Sequence, residues 1–181
     1  MAENSTAVVC RYLEEAIAAE ARSEAQSRGF AGEGDDEDVR AAFARHVEDA
    51  RLQQERLTQR LQELGGRLSD RKSFLDQVLE GTPKLAESGG LLEERTLQNL
   101  IVAFTTKKAE SAMYEALAAT AEAAGDAATA RLARGSQKEE AAAAEQLWHF
   151  LPSRSKIAYN MLTVTEVDPS VETKAATNRV V

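Results

Sequence analysis

Four acidic positions in this 181-residue chain fall on helical stripes that are otherwise apolar. Glu20 follows Leu13 and Ile17. Glu110 shares a face with Ala103, Tyr114 and Leu117. Glu139 lies seven residues after Leu132, and Glu140 seven before Leu147. A carboxylate buried alone costs several kcal/mol or changes its pKa, so an acid on a core-facing stripe calls for a partner. Such acids, gathered from several helices, suit iron or manganese, because their negative charge offsets that of the metal. The alternative is a set of salt-bridged structural carboxylates. Of the two histidines, His46 lies one turn before Asp49 on the same face, and His149 lies in the last helix, where a cation favours the helix end.

Other chemistry has little support. No Gly-x-Ser-x-Gly, phosphate-binding Gly-Lys-Ser/Thr or Gly-x-Gly-x-x-Gly motif occurs. Ser88-Gly89-Gly90 reads as a helix entry rather than a phosphate loop. The single Cys10 excludes a disulfide framework and cysteine-based zinc modules. A formal net charge of −8 argues against nucleic acid or an anionic membrane surface as partner. No apolar run reaches the ~18 residues of a membrane span, and the N-terminus lacks the pattern of a secretory signal. A soluble, cytoplasmic protein is the expectation.

The elements that must carry these acids are helices. Alanine fills 33 of 181 positions against three prolines, and Ala, Leu, Glu, Gln, Arg and Lys lose little side-chain entropy in a helix. The pattern predicts a first helix from about Thr6 to Arg28, capped by Asn4, Ser5 or Thr6 and stopped at Gly29. A second runs from about Asp38 to Leu64, along Phe43, Val47, Ala50, Gln54, Leu57 and Leu61, and stops at Gly65-Gly66. A short helix follows over Arg71 to Leu79. A third long helix spans Leu91 to Ala124, and a fourth starts after Gly125-Asp126 and ends near Phe150, before Pro152. Gly135 within it suggests a closely approaching neighbour. Trp148 and Phe150 are expected to close one end of the bundle or to mark a partner surface. Residues 1–152 thus form one helical domain, and residues 153–181 an extended or disordered tail that could dock on a protein partner.

Short links make the first and last helix pairs antiparallel hairpins, and the long segment between them can cross the length of a bundle. Two hairpins joined by such a crossover give an all-α, ferritin-like four-helix bundle. The motifs agree in order and spacing. Ala19-Glu20 is followed by His46-Val47-Glu48-Asp49 with Gln53 and Arg56-Leu57, then by Ala109-Glu110 with Tyr114 and Leu117, and by Glu139-Glu140 with Leu147. In these residues the chain resembles the YciE/YciF-type ferritin-like proteins associated with bacterial stress. The similarity spans about residues 8 to 150.

The resemblance implies a homodimer and a di-metal carboxylate site drawing on Glu20, Glu110, Glu139, Glu140, Asp49 and His46. The departures from the family pattern point elsewhere. Glu48 and Asp49 are followed one turn on by Arg51 and Leu52, and Glu139 and Glu140 by Ala142 and Ala143, none of which completes the Glu-x-x-His motif of such sites. Lys107 stands where the family carries an acid, and its cation would neutralise the cluster that a metal serves elsewhere. The reading preferred from sequence is a non-enzymatic, stress-related bundle with a degenerate metal site, acting through its surfaces. The alternative is a di-iron or di-manganese protein that oxidises iron or consumes peroxide.

Overall fold

The computed structural model describes residues 4–68 and 91–164. The expected short helix at 71–79, Ser88-Gly89-Gly90 and the chain beyond 164 lie outside the described residues. The described residues form four long helices and no strand: α1 (Ser5–Glu33), α2 (Glu37–Glu63), α3 (Leu92–Ala123) and α4 (Ala127–Val164).

Three of the four starts are written locally, and α3, preceded by Leu91, has no side-chain cap. Asn4, Asp36 and Asp126 accept hydrogen bonds through their side chains from the backbone N–H of Thr6 (3.2 Å), Val39 (3.1 Å) and Thr129 (3.0 Å), satisfying donors that a helix N-terminus leaves open. Gly65 and Gly125 follow α2 and α3 with φ of 77° and 76°, the left-handed conformation in which a Cβ would be strained.

α1 pairs with α2 and α3 with α4, and the two hairpins meet through α1 against α3 and α2 against α4. The helix after the long connection therefore runs parallel to α2, the up-down-down-up order of a ferritin-like bundle. Two apolar clusters occupy the ends. One contains Val9, Leu13, Leu57, Leu61 and Leu117; the other contains Val39, Phe43, Leu100, Ala103 and Leu147. The core between them is polar.

Two helices run further than the sequence suggests. α1 passes Gly29 to Glu33, because Phe30 packs on Phe43 (ring centroids 5.4 Å apart) and Glu33 accepts a 3.0 Å hydrogen bond from Asn99. These contacts outweigh the roughly 1 kcal/mol cost of a helical glycine. α4 passes through Pro152, so residues 153–164 are helix rather than extended tail. Arg154 anchors that stretch with a two-pronged bond to Asp36 (2.7 and 2.9 Å), stacks over Phe150, and is followed by buried Ala158. Trp148 does not close an end of the bundle. It is 52% exposed on the outer face, against Phe104. His149 also faces solvent in mid-helix, beside Glu145, and caps nothing. A Cβ on Gly135 would meet nothing within 4 Å, so no neighbour requires that glycine.

Candidate functional site: a buried cluster of glutamates and lysine

Glu20 from α1, Glu110 from α3 and Glu140 from α4 are all buried, at most 1% exposed, and each brings a carboxylate oxygen within 4.8 Å of the other two. The stripes place them there. The position that reads as apolar in the neighbouring turns of each helix carries the acid, so packing the stripes inward packs the acids together.

A cation sits among them. Lys107, one turn before Glu110 on α3 and 2% exposed, donates to Glu110 Oε2 (2.9 Å) and to Ser23 Oγ (3.0 Å). Its Nζ also lies 2.8 Å from Glu140 Oε2. The first two are hydrogen bonds and the third is an ion pair without hydrogen-bond geometry. Burial disfavours the charged amine, but Glu110, Glu140 and Glu20 together outweigh it and raise the Lys107 pKa. The lysine is held as a cation.

α2 contributes an amide rather than a carboxylate. Gln53 Nε2 donates to Glu140 Oε1 (2.8 Å) and to Glu139 Oε2 (3.1 Å), which fixes its Oε1 toward Tyr114. The buried Tyr114 hydroxyl lies 2.8 Å from that Oε1 and 2.6 Å from Glu20 Oε1. A hydroxyl has one proton, and an amide oxygen has none. The hydroxyl therefore donates to one of the two acceptors at a time. Burial, with Glu140 adding to it, pushes the Glu20 pKa up to about 8. Burial also raises Glu110 well above the usual carboxylate range against the pull of Lys107.

The remaining candidate residues do not join the cluster. Glu139 is half exposed and held by Arg56 through two bonds of 3.0 and 2.6 Å on the outer face. Asp49 is exposed and borders a shallow surface hollow with Leu52, Glu55 and Arg56. Glu48 pairs with Arg51 on the surface. His46 is buried rather than half-buried, and burial and then Lys107 push its pKa down to about 4, so the ring is neutral. Neither ring nitrogen makes a well-formed hydrogen bond. Ser23, Gln53 and Tyr114 complete the network without having been read as site residues. A polar Gln53 three residues after Ala50 and four before Leu57 was the available signal.

A pair of metal ions does not fit this donor set. Sites of that kind draw a Glu from each of two helices and Glu-x-x-His from each of the other two. α1 and α3 supply their glutamates. α2 offers Gln53, α4 offers Glu140 followed one turn on by Ala143, and the Lys107 ammonium lies between Glu110 and Glu140.

Comparison with known proteins places this arrangement. Residues 8–159 match the family described as "Domain of unknown function (DUF892)". The chain belongs to this family. No curated protein matches the chain. Among solved structures it is similar to the Escherichia coli stress protein YciF, with a TM-score of 0.76 and 24% identity over 86% of this chain and 99% of that one. A protein of Xanthomonas campestris pv. campestris matches with a TM-score of 0.74 and 18% identity, covering 89% of this chain and 99% of that one. A structure titled "ferritin like, diiron-carboxylate proteins", from Bacillus anthracis, matches with a TM-score of 0.66 and 13% identity over 83% of this chain and 99% of that one. The all-α, ferritin-like fold and the YciE/YciF-type kinship expected from the motifs are thereby shown.

Proposed function

We propose that this member of the DUF892 family is a non-enzymatic ferritin-like bundle in which the Lys107 ammonium takes the place of a metal cation. It acts through its surfaces, as a cytoplasmic homodimer, in a stress-related role. One observation carries the reading: Lys107 Nζ lies 2.9 Å from Glu110 and 2.8 Å from Glu140, inside the carboxylate cluster. Redox chemistry on a metal pair needs open coordination positions between the carboxylates, and here the ammonium stands between Glu110 and Glu140. The network instead contributes a rigid, uniquely registered core, since its members come from all four helices. The exposed Trp148 and the 45%-exposed Ile101 offer an apolar face for association. The stress role rests on the likeness to YciF.

The competing reading, a di-iron or di-manganese oxidase or peroxidase, is favoured by the three glutamates within 4.8 Å of one another and by the Bacillus anthracis neighbour. Mixing the protein with Fe(II) and either oxygen or peroxide separates the two. Oxidation no faster than in buffer is expected; catalysed oxidation abolished by Glu110→Ala would establish the competing reading. Sedimentation velocity tests the homodimer.

A further inference from the structure

The hairpin of α3 and α4 presents an outer face to solvent. On α3 it carries Ile101, Lys108, Ala112 and Glu115, and on α4 Lys138, Ala141, Glu145 and Trp148, all exposed and recurring at the spacings of one side of a helix. One end of this face is apolar, with Trp148 and Ile101 exposed and Phe104 packed against the indole. The rest is charged around a pair of alanines.

Contacts within the hairpin fix its register. Phe104 meets Trp148, and Glu115 accepts a 2.7 Å hydrogen bond from Gln137. In that antiparallel register Lys108 stands level with Glu145, Ala112 with Ala141, and Glu115 with Lys138. Along the face α3 therefore reads cation, alanine, anion, while α4 reads anion, alanine, cation at the same levels. Among the described residues neither Lys108 nor Lys138 forms an ion pair.

Such a pattern is its own complement. A two-fold axis parallel to the helices and along the α3–α4 seam lays α3 of one copy against α4 of the other at the same level, as an interface between identical patches requires. Lys108 then faces Glu145 of the second copy, Ala112 faces Ala141, and Glu115 faces Lys138, each pairing made twice. The alanines let the two hairpins approach closely, and Trp148 meets Ile101 of the second copy at the apolar end. From Ile101 to Glu122 the face is about 30 Å long and two helices make it roughly 20 Å wide, a footprint of roughly 600 Å², near the ~800 Å² that each partner gives to a standard interface.

We propose that the α3–α4 face seats a second copy of this chain, paired about a two-fold axis along the hairpin seam, with Trp148 as the apolar anchor. The inference rests on the proposed homodimer and goes beyond it by naming the surface and the residue pairs.

The test is sedimentation velocity on the full chain and on Lys108→Glu, Glu145→Lys and Trp148→Glu, with circular dichroism confirming that these surface variants fold. The unmodified chain is expected to sediment as a dimer. Lys108→Glu and Glu145→Lys each set like charges against one another at both copies of the contact, and should each weaken self-association roughly tenfold or more. Mixed one to one, they should recover a dimer, because the acidic face of one variant then meets the basic face of the other. Trp148→Glu should sediment as a monomer, and Leu52→Glu, at an exposed position on α2, should change nothing. A dimer kept by all three face variants, one dissociated by Leu52→Glu instead, or weakened variants that do not recombine, overturns this inference and leaves the homodimer standing. A monomeric unmodified chain, whether bare or bound through this face to a different protein, overturns both.

Discussion

Replacing Lys107 with Met removes the ammonium while keeping a side chain of similar length. In the native core Lys107 is 2% exposed, donates to Ser23 and Glu110, and pairs with Glu140 at 2.8 Å. Its loss leaves two glutamates without their counter-charge. Removing one partner of a buried ion pair typically costs about 3–5 kcal/mol, because the remaining charge stays buried. For a chain of this size each kcal/mol moves Tm by about 2–4 °C, so Lys107→Met should lower Tm by roughly 6–20 °C. The deficit depends on pH. The orphaned carboxylates titrate higher folded than unfolded, so the folded state holds extra protons and is favoured below the folded value, losing stability as pH rises through it. The gap from the unmodified protein therefore narrows at pH 5 and widens at pH 8. Adding Glu140→Gln should restore part of the loss, since it leaves one orphaned carboxylate, Glu110, instead of two. Differential scanning calorimetry at the two pH values measures all of this. A Lys107→Met protein that melts within about 2 °C of the original at pH 8 would refute the claim that the ammonium balances the core.

Other consequences follow from the same coordinates. Tyr114→Phe strands Glu20 Oε1 and Gln53 Oε1, which should cost about 1–3 kcal/mol in a urea titration. Gly66→Ala brings a Cβ within 2.3 Å of Leu61 Cδ1 and 3.1 Å of Cys10 Sγ, and overpacking of that kind should lower stability by about 1–3 kcal/mol in the same assay. Arg154→Ala releases Asp36 and should raise hydrogen exchange over residues 153–164 while sparing the rest of α4. Because the Arg154 bond holds the Asp36 carboxyl below its ordinary value, that contact stabilises the fold above about pH 4 and is lost as the pH falls through the depressed value, so the variant and the original should converge in acid. Pro152→Ala restores a missing backbone donor inside α4 and should raise Tm.

The four helices were legible because their apolar positions recur at three- and four-residue steps and because Gly65 and Gly125 end their helices in left-handed turns. The two misjudged ends share a cause. Gly29 and Pro152 disfavour helix locally, and what carries the chain past them is tertiary: Phe30 on Phe43, and Arg154 on Asp36 with Ala158 buried beyond. No local pattern announces a partner on another helix. In the site, Glu20, Glu110 and Glu140 were legible as acids on apolar stripes, and Lys107 as a cation out of place. Glu139 and Asp49 were not separable from them, since adjacent or one-turn positions differ by an angle that sequence spacing fixes only loosely. Structure turns Glu139 outward to Arg56 and leaves Asp49 on the surface. Tyr114 was hidden because a tyrosine is at home in a core as a large side chain, whereas Gln53 stood out as a polar residue on an apolar stripe, and only the hydrogen bonds between helices show what each one holds.

The most direct measurement of the central claim is an anomalous difference map from crystals grown with excess Mn²⁺. The account predicts Lys107 Nζ within hydrogen-bond distance of Glu110 and Glu140, with no anomalous peak at that position. A manganese ion seated between those two carboxylates, with the lysine side chain turned away, would contradict it.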